Sequence, residues 1–102
     1  MLNKRFARLG KEMLTVKIEC LASLLGITGK RRDEVQVADG YTVKDLLHTL
    51  SERYGARFKK IVSEENPFMV ILVNGRSINQ DGMETTLRQG DSILLGALGA
   101  GG

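Results

Sequence analysis

The stretch YTVKDLLHTLSERYG, residues 41–55, constrains the fold most because it predicts one well-defined amphipathic helix. Thr42 with Asp45 three residues later has the pattern of a capping box, with Asp in place of the usual Glu or Gln. Gly55 is a natural helix end. The apolar residues repeat at the spacing of a single helical face: Val43, Leu46, Leu47, Leu50 and Tyr54. Such a helix needs an apolar surface to pack against.

Several strand patterns can supply that surface. Residues 14–20, LTVKIEC, alternate apolar and polar side chains with period two, which indicates a half-buried strand. EVQVADG, residues 34–40, predicts a second short strand, antiparallel to the first. Residues 68–75, FMVILVNG, place six successive apolar residues before an Asn-Gly turn, and SILLGAL, residues 92–98, predicts a final strand. The order strand, strand, helix, strand, irregular segment, strand predicts an α+β fold of the β-grasp (ubiquitin-like) type, a mixed sheet with one principal helix.

The connecting segments carry fewer signals. LASLLGITGKRRDE, residues 21–34, is interpreted as a loop with at most one helical turn at 22–25, because it contains two glycines and a charge cluster. The basic residues at 30–32 are interpreted as a solvated tip, the alternative being a docking point for an acidic partner. We expect a second short helical piece within 56–67 and a short strand around 76–78.

Composition and charge exclude several classes of function. The formal net charge is +3, but residues 1–12 hold four basic residues against one acidic residue, so the remaining chain is balanced. A nucleic-acid-binding domain needs a basic face on its folded body, so we expect no nucleic-acid partner. No run of 18 apolar residues is present, and no membrane partner is expected. At 102 residues, the chain is expected to form one domain.

The residues that usually carry catalysis are sparse. Cys20 is the single cysteine and cannot form an internal disulfide, which favours a reducing, cytoplasmic compartment. It lies on the apolar face of its predicted strand, as a small buried hydrophobe would. His48 lies off the apolar stripe of the helix and is interpreted as a surface residue. No Cys/His cluster has zinc-ligand spacing, so no metal site is predicted, and neither a P-loop nor GxGxxG is present.

Four motifs together resemble one family. TVKDLLHTLSERYG, ILVNGRSI, LRQGDSILL and the terminal Gly-Gly are similar to the ubiquitin-like sulfur carriers, meaning the small subunit of molybdopterin synthase and its relatives (the MoaD/ThiS type). The resemblance covers residues 13–102. It implies a β-grasp domain at 13–98 and a flexible glycine-rich tail at 99–102, whereas the basic extension at 1–12 lies outside the pattern of the family. The chain departs from the molybdopterin branch in one respect, because GALGA stands where members often carry prolines.

The resemblance also implies a function and its partners. Gly102, preceded by Gly101, would provide a C-terminal carboxylate that an E1-like adenylating enzyme activates with ATP and that becomes a thiocarboxylate. The chain itself would bind no cofactor. It would act as the non-catalytic small subunit, or sulfur-donor partner, of a molybdopterin synthase whose large subunit supplies the catalytic side chains. The resemblance implies a cytoplasmic setting.

The apolar run at 68–73 points to a partner surface. One helix can cover only one face of the sheet, and a sheet face open to water normally alternates with polar residues. If Met69, Ile71 and Val73 face the helix, the other face carries an exposed apolar patch, which is typical of an interface. The predicted partner-binding residues are Phe68, Val70, Leu72 and Leu94, with Gly99 and Ala100 in the tail. The alternative is that the loop at 22–34 folds over this face.

Three other hypotheses remain open. The chain could be a ubiquitin-like modifier that is conjugated through Gly102 to lysines of target proteins, which needs the same activation step. It could be a β-grasp interaction domain with an incidental glycine tail. A catalytic pair of Cys20 and His48 is disfavoured because the patterns place the two residues on different faces.

Overall fold

The structure of the protein is a computed structural model that describes residues 12–78 and 80–98. The predicted N-terminal extension, apart from Glu12, and the predicted tail at 99–102 therefore lie outside the described residues. The elements in chain order are β1 (Met13–Cys20), α1 (Ala22–Thr28), β2 (Arg32–Ala38), α2 (Val43–Tyr54), α3 (Ala56–Ile61), β3 (Met69–Val73), β4 (Arg76–Ser77), a 3-10 helix (Gln80–Glu84) and β5 (Ser92–Ala97).

Within the described residues, the strands form one mixed sheet in the order β2-β1-β5-β3-β4. β1 is antiparallel to β2, as predicted, with Val16 opposite Val35. β1 and β5 run parallel at the centre of the sheet, and β5 is antiparallel to β3, with Leu72 opposite Leu94. As a central strand, β5 is bordered by β1 on one side and β3 on the other, but its pairing with β1 ends at Leu95, whereas its pairing with β3 continues to Ala97.

The principal helix α2 begins and packs as its sequence predicts. The Thr42 hydroxyl accepts a hydrogen bond from the Asp45 amide at 3.2 Å, and the Asp45 carboxylate accepts one from the Thr42 amide at 3.0 Å. This reciprocal pair completes the capping box. Gly55, with φ of 94°, ends the helix. The buried residues of α2 are Val43, Leu46, Leu47 and Leu50.

The core lies between α2 and one face of the sheet, which we call the inner face. Alternate residues of β1, β2, β3 and β5 fill it, as the period of two requires. The sheet residues buried there are Val16, Ile18, Cys20, Val35, Val37, Ile71, Val73, Ile93 and Leu95. The predicted helical piece within 56–67 is α3, whose Phe58 is buried against this core and contacts the Tyr54 ring at a centroid distance of 5.4 Å.

The interpretation of residues 21–34 as a loop was wrong. Residues Ala22–Thr28 form the helix α1, and Arg32 already belongs to β2 rather than to a loop tip. Leu24 explains the helix, because its side chain is completely buried in the common core. Gly29 ends α1 in the left-handed conformation, with φ of 74°, and its amide donates to the Leu25 carbonyl. The glycine that suggested a loop is therefore the helix C-cap.

No helix in residues 12–78 or 80–98 has the length and apolar character needed to cross a membrane.

Candidate interaction face and tail root

The second face of the sheet, which we call the outer face, carries apolar side chains that the helices leave uncovered. Burial of Ile71 and Val73 on the inner face places Val70 and Leu72 on the outer face, in agreement with the predicted alternation. Val70, Leu72 and Leu94 are all half-buried, and Phe68 is 59% exposed. The four described residues of the predicted patch therefore lie on or beside β3 and β5.

One further apolar residue lies at the end of this patch. Leu98 is 62% exposed, and its amide donates to the Phe68 carbonyl at 2.8 Å, so it lies beside Phe68 immediately before the tail. The prediction missed Leu98, although its place as the last apolar residue before the glycine tail was a usable signal. We call the five residues Phe68, Val70, Leu72, Leu94 and Leu98 the apolar strip.

Charged side chains border the apolar strip on the side of β1 and β2. Lys17 lies opposite Glu34, and Glu19 lies opposite Arg32, so opposite charges face each other across these strands. A shallow groove of about 550 Å³ runs over this part of the outer face. Its lining is Lys17, Ile18, Glu19, Arg32, Asp33, Glu34, Leu72, Gly75, Ser92, Ile93 and Leu94. The groove therefore joins an apolar wall to a charged one.

Within segment 22–34, only Arg32, Asp33 and Glu34 line this groove, and they belong to the strand β2 rather than to a loop that covers it. The alternative in which segment 22–34 folds over the outer face is therefore not what the structure shows. α1 instead contributes Leu24 to the core on the inner side, and α1 contacts α3. The outer face remains available to a partner in the described part of the chain.

The root of the tail is held at the end of β5. The Ala97 amide donates to the Ser23 hydroxyl at 2.8 Å, and the next amide, that of Leu98, donates to Phe68 on the other side. The chain thus leaves the sheet next to the apolar strip. The predicted tail residues Gly99, Ala100, Gly101 and Gly102 lie outside the described residues.

Cys20 and His48 do not form a catalytic pair. Cys20 is buried on the inner face of β1, whereas His48 is exposed on α2, where its Nε2 lies 3.4 Å from the Glu52 carboxylate. Burial raises the pKa of the Cys20 thiol, a hydrogen bond with the Thr28 side chain lowers it, and the Asp33 carboxylate raises it further. The net shift is upward, so the thiol stays protonated at neutral pH and is a weak nucleophile.

The described residues form no cluster of metal-ligating side chains. Among residues 12–78 and 80–98, no three His, Cys, Asp or Glu side chains lie close enough together to hold a metal ion.

Several solved structures share this fold. The HVO 2177 protein of Haloferax volcanii is 28% identical, with a TM-score of 0.75 and coverage of 88% of each chain. Small archaeal modifier protein 1 of Methanosarcina acetivorans is also 28% identical, with a TM-score of 0.66, covering 89% of this chain and 99% of that chain. A Pyrococcus furiosus protein described as molybdopterin converting factor, subunit 1, is 23% identical with a TM-score of 0.69, covering 83% and 99%. At that identity the third likeness shows the fold alone. These neighbours confirm the predicted β-grasp fold.

No curated protein sequence matches the chain significantly. The model of the ThiS family, by contrast, matches residues 19–102, which is most of the chain and includes the terminal Gly101 and Gly102. The match confirms the resemblance to the ubiquitin-like sulfur carriers, and the chain belongs to the ThiS family.

Proposed function

We propose that the protein is a ubiquitin-like sulfur carrier for molybdopterin biosynthesis in the cytoplasm. Its Gly102 carboxylate is adenylated, is converted to a thiocarboxylate and then donates sulfur. The observation that carries this proposal is the family match, because it extends through the Gly101-Gly102 end. The choice of the molybdopterin pathway rests on the resemblance of the sequence motifs to the small subunit of molybdopterin synthase.

The position of the tail root supports a reactive terminus. β5 is a central strand, and the last described amides at its end are held from two sides. The four residues from Gly99 to Gly102, if extended, reach about 13–14 Å from this point at roughly 3.3–3.6 Å each. Gly101 and Gly102, at the end of this segment, can adopt backbone angles that other residues avoid and can fit a narrow channel. The terminus can thus enter the active site of another protein while the domain stays outside.

The chemistry needs activation because a carboxylate is a poor electrophile. An ordinary α-carboxyl group has a pKa of about 3.5 and is ionised at neutral pH. In the proposed sequence, a carboxylate oxygen attacks the α-phosphorus of ATP and pyrophosphate leaves. A hydrosulfide-equivalent donor then attacks the acyl carbon, and AMP leaves with the bonding electron pair. The E1-like enzyme binds ATP, and this chain supplies only the acyl group.

The apolar strip supplies the binding energy that the tail lacks. Ordering each tail residue costs roughly 1–2 kcal/mol of backbone entropy, so the tail alone contributes little affinity. Phe68 and Leu98 lie beside the tail root and are more than half exposed. We propose that the E1-like enzyme and the molybdopterin synthase large subunit bind this strip in turn. A partner with an apolar ridge flanked by charged residues would match the groove.

A second function has its own support. Small archaeal modifier protein 1 is 28% identical to this chain over nearly its whole length. A modifier would form the same acyl-adenylate, but the amine of a target lysine, rather than a sulfur donor, would attack its acyl carbon. The two proposals differ only in the acceptor.

The acceptor can be tested directly. The chain is incubated with ATP, the E1-like enzyme of its source organism and a sulfur donor, and its intact mass is measured. The sulfur-carrier proposal predicts replacement of one oxygen by sulfur. It further predicts that the product converts the molybdopterin precursor when the synthase large subunit is added. Isopeptide conjugates through Gly102, with no sulfur incorporation, would favour the modifier instead.

A further inference from the structure

Ser23 satisfies a backbone amide that the sheet leaves without a strand partner. β5 runs parallel to β1, but their pairing stops at Cys20 opposite Leu95, because the chain then turns into α1. The Ala97 amide, two residues further along β5, points to the same side. It donates to the Ser23 hydroxyl at 2.8 Å in a partly buried position. The hydroxyl thus continues the ladder for one further bond.

The hydroxyl is not a cap for its own helix. The N-cap residue of α1 is Leu21, which makes no side-chain capping bond. The Leu21 amide instead donates to the Leu95 carbonyl at 2.8 Å, which fixes the start of α1 against β5. The backbone bond of Leu21 therefore fixes the start of α1 on β5, and Ser23, two residues later, presents its hydroxyl to the same strand.

Close packing fixes this arrangement further. Gly96 lies so near Leu21 that a Cβ placed on the glycine would be only 2.5 Å from the Leu21 Cβ. On the opposite side of β5, the Leu98 amide is bonded to the Phe68 carbonyl. Consecutive residues, Ala97 and Leu98, are thus bonded to two different parts of the fold immediately before Gly99.

From these contacts we infer that Ser23 is a positioning residue for the C-terminal reaction. It acts through Ala97 and sets the point and direction from which the tail extends into the activating enzyme. The inference rests on the proposed function, since it concerns the same carboxylate. Docking through the apolar strip and placement of the tail are then separate properties. Loss of the Ser23 hydroxyl affects placement and leaves docking unchanged.

The test is the kinetics of adenylation for Ser23→Ala. Exchange of radiolabelled pyrophosphate into ATP by the E1-like enzyme is measured against the concentration of the carrier. We expect kcat to fall about threefold to tenfold, the effect of one lost hydrogen bond, with KM unchanged. Ser23→Thr keeps a hydroxyl and restores kcat. Ser51→Ala, a half-buried helical serine of α2, is the matched control and leaves both constants unchanged.

Amide hydrogen exchange separates positioning from general destabilisation. In Ser23→Ala, the Ala97 amide exchanges faster while that of Ile93, in the same strand, keeps its protection. Equal loss of protection at both amides, a raised KM with unchanged kcat, or a kcat within twofold of wild type would each overturn the inference. If the wild-type chain is not adenylated at all, the proposed function fails and the positioning role fails with it, while exchange at Ala97 still reports whether the hydroxyl holds the tail root.

Discussion

Gly96 sets how closely α1 can approach the sheet, because its missing side chain leaves room for Leu21. We expect Gly96→Ala to lower the free energy of unfolding by about 1–3 kcal/mol, since the added methyl group must displace Leu21. Gly26→Ala in α1 is the control, because a Cβ there meets nothing within 4 Å. It should be neutral or stabilise by up to about 1 kcal/mol. Urea denaturation compares the two, and equal effects would show that Leu21 does not crowd this site.

Cys20 gives the stability of the fold a component that depends on pH. Burial raises the pKa of its thiol in the folded state, so the native protein holds the proton more tightly than the unfolded chain. This contribution is complete below the unfolded pKa, about 8.5, and is lost as the pH rises through the folded pKa. Cys20→Ala should lack this decline. Denaturation curves at increasing pH measure it, and parallel pH profiles for the two proteins would contradict the account.

The role of a single residue can be predicted from the sequence only where the pattern that reveals it lies within one short segment. The alternation along 68–73 identified the outward-facing residues, because a strand's side chains alternate by geometry alone. The bond between Ser23 and Ala97 joins residues 74 positions apart in the chain. No pattern within either segment indicates that contact. Gly96, likewise, is recognisable as a close-packing site only once α1 is placed beside β5.

Helix α2 is the element whose packing is most directly testable. Leu50 is 2% exposed in the middle of the core. Leu50→Ala should lower the free energy of unfolding by about 2–5 kcal/mol, from lost burial and the remaining cavity. Lys44→Ala, at an exposed position of the same helix, should change it by less than about 0.5 kcal/mol. A loss at Leu50 as small as that at Lys44 would show that the stripe is not packed.

The comparison of α1 with α2 shows that a helix can be predicted from sequence when its local signals agree with its tertiary packing. α2 was predicted with its capping box and end, because its local signals and its tertiary packing agree. α1 was missed because Gly26 and Gly29 count as helix breakers in an isolated segment. Leu24 of α1 is buried in a core that the other elements provide, and this tertiary contact stabilises the helix. Propensity alone therefore underestimates short helices that are held by one deeply buried residue.

The outer face of the sheet should govern association of the protein with its partners. Leu72→Glu places a charge in the apolar wall of the groove, where Leu72 lies opposite Leu94. The side chain is only half-buried, so the fold should persist, while association with the E1-like enzyme should weaken at least about tenfold. Gln36→Glu adds the same charge at an exposed position of β2 and should bind normally. Calorimetric titration measures both, and unfolding of Leu72→Glu would show that the residue belongs to the core.

The overall architecture could be predicted because the order of elements permits few topologies. One amphipathic helix between two pairs of predicted strands was sufficient to indicate the mixed sheet, including the antiparallel β1–β2 pair. The identity of the partner proteins could not be predicted from the order and patterning of the elements. Patterns describe what the chain buries within itself, whereas the identity of a partner depends on the surface of another protein.

Intact mass spectrometry can show whether the carboxylate of Gly102 is the group that accepts sulfur. Wild type, a Gly102 deletion and Cys20→Ala are each incubated with ATP, the E1-like enzyme and a sulfur donor. The deletion withdraws the carboxylate by about 3.5 Å, and a 1 Å misplacement can already cost on the order of 10²-fold in rate. We predict the exchange of one oxygen for sulfur in wild type and Cys20→Ala, and its absence in the deletion. Sulfur incorporation that requires Cys20 and does not depend on Gly102 would show that the protein is a cysteine-based carrier instead.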